Sequence, residues 1–148
     1  MKKLLLLAIG MILLTACDLD ESIYPDTSND PWQGSATKLV LTEMSGNFPN
    51  STVNSENMLW QESYILNPDG RFLKTRERDS VVTHSNGTYE YSEISGERFI
   101  VFSHETESVI IGNCTGNKKE HLAVRSNNTF FNTWLACDGP SLLYRREF

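Results

Sequence analysis

From Lys38 onward, apolar residues recur at short intervals and often alternate with polar ones, and every run ends at Gly, Asn, Asp, Ser or Pro. Period-2 alternation over a few residues marks strands that bury one face, and no stretch carries an amphipathic helical stripe of useful length. The pattern predicts strands at Lys38–Met44, Leu59–Leu66, Arg71–Glu77, Gly87–Ser92, Arg98–His104, Ser108–Gly112, His121–Ser126, Thr129–Ala136 and Leu142–Glu147. Asn67-Pro68-Asp69-Gly70 is the strongest turn signal, because Pro pre-sets one dihedral and Asn, Asp and Gly tolerate turn geometry. The polar stretch Ser45–Asn57 is expected to be a long loop. Short strands at regular spacing imply an all-β sandwich or barrel. Sequential hairpins favour an up-and-down antiparallel barrel of about eight strands, whose closure removes the sheet edges that invite aggregation.

The first residues follow a different pattern. Lys2 and Lys3 precede an apolar run, Leu4–Leu14, and Thr15-Ala16-Cys17 follows. A charged start, a short apolar run and small residues form a secretory signal peptide, and the run is shorter than the roughly 20 residues that span a bilayer. Leu14-Thr15-Ala16-Cys17 resembles the bacterial lipobox. The resemblance implies removal of residues 1–16 and lipid on Cys17, with acyl chains giving firm anchoring. Asp18, Asp20 and Glu21 then form an acidic cluster similar to the surface-export signal of lipoproteins from Bacteroidota-type bacteria. An aspartate there can also signal inner-membrane retention in enteric bacteria, or the cluster can be plain linker. The expected address is the outer membrane, with the periplasmic or surface side left open. Residues 17–36, rich in Asp, Ser, Asn, Pro and Gly apart from Trp32, read as a flexible tether, and 37–148 as the barrel domain.

Charge and cysteines narrow the function. With Lys2 and Lys3 removed, 11 basic residues stand against 19 acidic ones, for a net charge of −8. A chain so acidic, with no basic cluster, has no electrostatic reason to bind nucleic acid. Arg71, Lys74, Arg76 and Arg78 are interleaved with Glu77 and Asp79, which reads as a solvated strand face. Lipid on Cys17 leaves Cys114 and Cys137, expected to pair in an oxidising compartment, with two buried thiols as the alternative.

Candidate chemistry is sparse. His84, His104 and His121 match no metal-binding spacing, and hydrogen-bonded or exposed histidines are expected. No Gly-x-Ser-x-Gly, HExxH, CxxC or phosphate loop occurs, so no catalytic residue, metal or cofactor is expected. Glu62 is the odd acid, sharing a face with Trp60, Tyr64 and Leu66. If that face points inward, Glu62 sits in a cavity with a raised pKa. Trp60, Glu62, Tyr64 and His104 are therefore the candidate ligand-contacting residues. Phe130 and Phe131 cannot both enter one core. Asp79-Ser80-Val81 resembles a short O-glycosylation acceptor of Bacteroidota-type bacteria.

Lys38-Leu39-Val40-Leu41, then Asn67-Pro68-Asp69-Gly70-Arg71-Phe72, Asn86-Gly87-Thr88-Tyr89-Glu90-Tyr91, Ala136-Cys137-Asp138-Gly139-Pro140 and Tyr144-Arg145-Arg146 together resemble the lipocalin-like small lipoproteins of Bacteroidota. Such domains often carry Gly-x-Trp at the first strand, where this chain has Trp32-Gln33-Gly34. The resemblance implies a lipid-anchored barrel that holds a small apolar ligand. The alternative is a filled-core interaction domain, acting as a surface or periplasmic accessory subunit or an enzyme inhibitor. Nothing in the residues supports an enzyme.

Overall fold

A computed structural model describes residues 35–46, 52–54 and 57–147. The signal peptide, Cys17, Trp32 and most of the tether lie outside the described residues, as does much of the Ser45–Asn57 loop.

The domain is an eight-stranded antiparallel barrel with one small extra strand. Its strands are β1 (Thr37–Ser45), β2 (Val53–Asn54), β3 (Gln61–Leu66), β4 (Arg71–Arg78), β5 (Val81–Ile94), β6 (Glu97–His104), β7 (Lys119–Ser126), β8 (Thr129–Asn132) and β9 (Ser141–Glu147). Neighbours in sequence pair from β3 to β9, and β1 pairs with both β3 and β9, which closes the sheet. The two-residue β2 adds to the end of β1. A short 3₁₀ turn, Trp134–Cys137, precedes β9.

An up-and-down barrel places its connections at alternate ends. One end carries tight turns at 67–70, 95–96 and 127–128, together with the start of β1 and the end of β9. The Asn67–Gly70 turn forms as expected, with Gly70 at φ +79° and its N–H donating to Asn67 O at 3.1 Å. The other end carries the β1–β3 connection, the two-residue turn Asp79-Ser80, the 105–118 loop and the 133–140 segment. This is the loop end. Asp79 and Ser80 both have positive φ (52° and 64°), the conformation that matches the twist of paired strands.

Four segments depart from the sequence pattern, the first being β2 (Val53–Asn54), which pairs with β1 inside the Ser45–Asn57 stretch expected as a loop. Strand β5 has 14 residues, and its first half, Val81–Asn86, is polar enough to hide its strand character. Val81–Thr88 pairs with β4 and Gly87–Ile94 with β6, so Gly87 marks the handover. A Cβ on Gly87 would lie 2.0 Å from Ser103 O, so only glycine permits the close approach of these strands. Ser108–Gly112, expected as a strand, is irregular and crosses the loop end instead. The expected Thr129–Ala136 strand stops at Asn132, whose side chain accepts from Leu142 N–H at 2.8 Å and donates to Pro140 O at 2.9 Å. Asn132 thus shapes the turn into β9.

The barrel interior is occupied by large side chains. Tyr64 stacks on Phe102 with centroids 4.7 Å apart, Phe72 meets Phe102 edge-on at 4.8 Å, and Tyr144 meets Tyr64 at 5.3 Å. Leu39, Leu66, Ile100, Leu122 and Phe130 complete this apolar layer toward the turn end. Of the neighbouring phenylalanines, Phe130 is buried and Phe131 is half-buried on the other face, as alternation requires.

Candidate functional site

Above the apolar layer, toward the loop end, the interior turns polar. Alternation explains why. Glu62, Tyr64 and Leu66 of β3 share the inward face with Trp60, the residue just before the strand, as their parity predicts. In β4, Lys74 and Arg76 share parity with Phe72 and point inward too. That overturns their reading as a solvated face: Lys74 is 0% exposed and Arg76 9%, while only Arg71 and Arg78 are solvated. Ser85 from β5, His104 from β6 and Glu120 from β7 complete a buried cluster.

The groups form one connected network. Lys74 Nζ lies 2.9 Å from both oxygens of Glu120 and 3.0 Å from Glu62 Oε1. Arg76 Nε pairs with Glu62 Oε2. Tyr144 donates to Glu62 Oε1 at 2.6 Å. His104 Nε2 lies 3.3 Å from Glu120 Oε2, and Ser85 Oγ lies 2.7 Å from His104 Nδ1. A neutral imidazole protonated on Nε2 satisfies both contacts, donating to Glu120 and accepting from Ser85. Two carboxylates face one ammonium and one guanidinium, so the cluster is charge-balanced. That balance is what makes burial of four ions tolerable, because an unpaired buried charge is costly.

Titration follows from the same geometry. Burial alone would raise the Glu120 carboxyl, but the attraction of Lys74 and hydrogen bonds from His104 and Lys74 outweigh it, and the net shift is downward. Tyr144 rises well above its ordinary value through burial, with Glu62 and Glu120 adding to the shift. Tyr64 rises likewise, through burial first and then Glu120, Tyr144 and Glu62. Its hydroxyl, drawn toward Glu120, has no partner in hydrogen-bonding geometry, and the same holds for Trp60 Nε1. Trp60 instead offers its ring, with the Arg76 guanidinium 4.5 Å from the centroid and Arg78 5.8 Å away.

The 105–118 loop closes over this cluster and is tied to it. Arg76 Nη2 donates to Ile110 O at 3.3 Å, and Gly112 N–H donates to Glu120 Oε1 at 3.1 Å, while the Ile110 side chain is buried. Cys114 and Cys137 are disulfide-bonded, Cα–Cα 5.5 Å, so the loop is also stapled to the 3₁₀ turn. The Trp134 ring wedges between Gly112 and Gly139, where a Cβ would approach it to 3.0 and 2.4 Å respectively.

The structure therefore brings all four candidate ligand-contacting residues, Trp60, Glu62, Tyr64 and His104, into one interior region. Lys74, Arg76, Ser85 and Glu120 join them and were missed. The available signal was strand parity: Lys74 and Arg76 with Phe72, Glu120 with Leu122, and Ser85 with Tyr89. His84 bonds Thr75 Oγ1 at 3.0 Å on the outer face, and His121 is half-buried with its pKa lowered by burial and by Lys119. Among the described residues, no group of three or more His, Cys, Asp or Glu is arranged to hold a metal ion. Ser85, His104 and Glu120 form a hydroxyl–imidazole–carboxylate chain, but Ser85 is buried and its hydroxyl is engaged with the imidazole inside the network.

Compared with known protein families, characterised proteins and solved structures, the chain gives no significant match.

Proposed function

We propose that this protein is a lipid-anchored β-barrel whose filled core makes it a scaffold, and that it acts through its outer surface as an accessory or inhibitory interaction domain rather than as a carrier or an enzyme. The single observation behind this reading is the closed network of Glu62, Lys74, Arg76, His104 and Glu120, which occupies the place beneath the mouth where a carrier of this shape would hold its ligand. An apolar molecule entering there would have to separate two carboxylates from their cations in a low-dielectric setting, where each unpaired charge is expensive. The groups that the carrier reading needs, Trp60, Glu62, Tyr64 and His104, serve the fold. Lipid on Cys17, from the lipobox resemblance, holds the domain at the outer membrane.

Native mass spectrometry of residues 18–148, secreted to the periplasm and compared with the denatured sample, tests the reading. The expected result is one mass, that of the bare chain, under both conditions. An apolar adduct present natively and lost on denaturation would replace this reading with the carrier. Cys17 is tested separately: metabolic labelling with palmitate should mark the wild-type chain and leave Cys17→Ser unmarked.

A further inference from the structure

The barrel closes through β1 and β9, but its sheet is not paired along its whole length. Strand β5 changes partner at Gly87: Val81–Thr88 pairs with β4 and Gly87–Ile94 with β6. Arg78 and Val81 flank the two-residue Asp79-Ser80 turn, so they form a hydrogen-bonded pair. Bonding then alternates along the strand. Val81, Thr83, Ser85 and Gly87 bond to β4, and Tyr89 N–H continues that ladder to Gly70 O at 2.8 Å. Val82, His84 and Asn86 turn their backbone groups to the opposite edge. There Glu105 N–H donates to Asn86 O at 3.0 Å, one step beyond the His104–Gly87 pair, and the ladder with β6 stops.

Beyond that step the chain leaves the edge. The 105–118 loop turns inward, with the Ile110 side chain buried and with Ile110 O and Gly112 N–H bonded to Arg76 and Glu120. Among the described residues, nothing bonds the N–H and C=O of Val82 and His84 on the side away from β4. Unpaired backbone groups take water or another backbone as partner, and both residues are exposed, Val82 to 51%. An open strand edge is a template for one more strand, here running where β6 would have continued.

The edge is complementary to itself. A two-fold axis beside Thr83 sets Val82 of one copy opposite His84 of the other, and His84 opposite Val82, each pair exchanging both N–H···O bonds. Thr83 then faces Thr83, a favourable cross-strand pair, and the exposed Val82 methyls pack against the other copy's imidazole. Charge permits this register. Val81–Asn86 contains no Asp, Glu, Lys or Arg, so an acidic chain meets its copy without like charges opposite each other. We propose that a second copy of this chain adds at the Val82–His84 edge, forming a two-fold dimer through one continuous antiparallel sheet. The inference goes beyond the interaction-domain reading and does not depend on it, because the edge is the same in a filled barrel and in one that holds a ligand.

The test mixes isotope-labelled and unlabelled residues 18–148, disulfide intact, at about 1 mM, since an edge this short gives a weak dimer. A cross-strand pair that is not hydrogen-bonded brings its Cα atoms to about 4.5 Å, so isotope-filtered NMR should show an intermolecular contact between Thr83 Hα protons. The Val82 and His84 amide signals should shift on dilution. Val82→Pro removes an N–H that faces away from β4, and should abolish both effects with the β-sheet circular dichroism unchanged. Val82→Lys keeps the backbone and places a charge on the edge, so it should weaken the dimer at least about tenfold even where proline disturbs the hairpin. A chain that stays monomeric at this concentration overturns the proposal. So does a dimer whose intermolecular contacts fall elsewhere or survive Val82→Lys.

Discussion

Replacing Lys74 by methionine keeps most of the side-chain volume and removes one charge from the centre of the barrel. Its ammonium touches three carboxylate oxygens, two of Glu120 at 2.9 Å and one of Glu62 at 3.0 Å. At an effective dielectric near 20, each carboxylate at that distance contributes about 5 kcal/mol of gross attraction. Desolvation of the ammonium offsets much of the total, and breaking a buried pair from one side costs about 3–5 kcal/mol net. Glu62 keeps Arg76 and Tyr144, so the loss falls mainly on Glu120, left with His104 and the Gly112 N–H. The direction of the pH dependence is fixed by the same argument. An uncompensated buried carboxylate prefers to be protonated, so the Glu120 pKa in the variant should rise above its unfolded value. The penalty should then be greatest at pH 7 and shrink as the pH falls toward about 4.5. Urea unfolding of wild type and Lys74→Met at both pH values, disulfide intact, measures it. A loss below about 1 kcal/mol at pH 7, or an equal loss at both pH values, would refute the claim that Lys74 neutralises a buried carboxylate pair.

The other expectations concern single contacts. Tyr144→Phe should cost about 1.5–3 kcal/mol, since it removes a hydrogen bond to an ionised carboxylate, whereas Tyr64→Phe should leave the urea midpoint unchanged or raise it, because its hydroxyl has no partner to lose. Gly87→Ala should destabilise by about 3 kcal/mol through the clash with Ser103 O, seen as a lower melting temperature with the same β-sheet circular dichroism. Reducing Cys114–Cys137, 23 residues apart, should cost roughly 3 kcal/mol, readable by calorimetry with and without reductant. The lowered Glu120 pKa supplies stability that is present above the ordinary carboxylate range and lost as pH falls through and below about 4.3. The raised tyrosines supply stability that is present below about pH 10 and lost as pH climbs beyond it. A melting temperature flat at both extremes would contradict these assignments.

Much of the barrel was legible because its strands alternate and its turns use the residues their geometry demands. Trp60-Gln61-Glu62-Ser63-Tyr64-Ile65-Leu66 announces its inward face, and Asn67–Gly70 announces its turn. The polar part of the interior was hidden by the same rule that revealed the rest. Hydrophobicity identifies an inward face only when that face is apolar, and in β4 the inward series runs Phe72, Lys74, Arg76. A charge on an alternating strand looks solvated until its partners on other strands are known, and Glu120 lies 46 residues from Lys74. Val81–Asn86 was lost for a related reason, since Ser85 faces a histidine rather than a methyl group. Ser108–Gly112 misled in the opposite direction. Its apolar residues cap a barrel, with Ile110 O and Gly112 N–H bonded to side chains instead of to a neighbouring strand.

The central claim is that the space beneath the barrel mouth is filled by a closed ionic network. Nitrogen-15 NMR of the Lys74 ammonium and the Arg76 Nε–H in residues 18–148 addresses it directly. The account predicts slowly exchanging side-chain N–H signals for both, with the Lys74 signal lost in Glu120→Gln and no change when lipid extract is added. Ammonium protons of Lys74 that exchange as fast as those of a surface lysine, or that shift on addition of extract, would mean that the interior is open to solvent and ligand, and would contradict it.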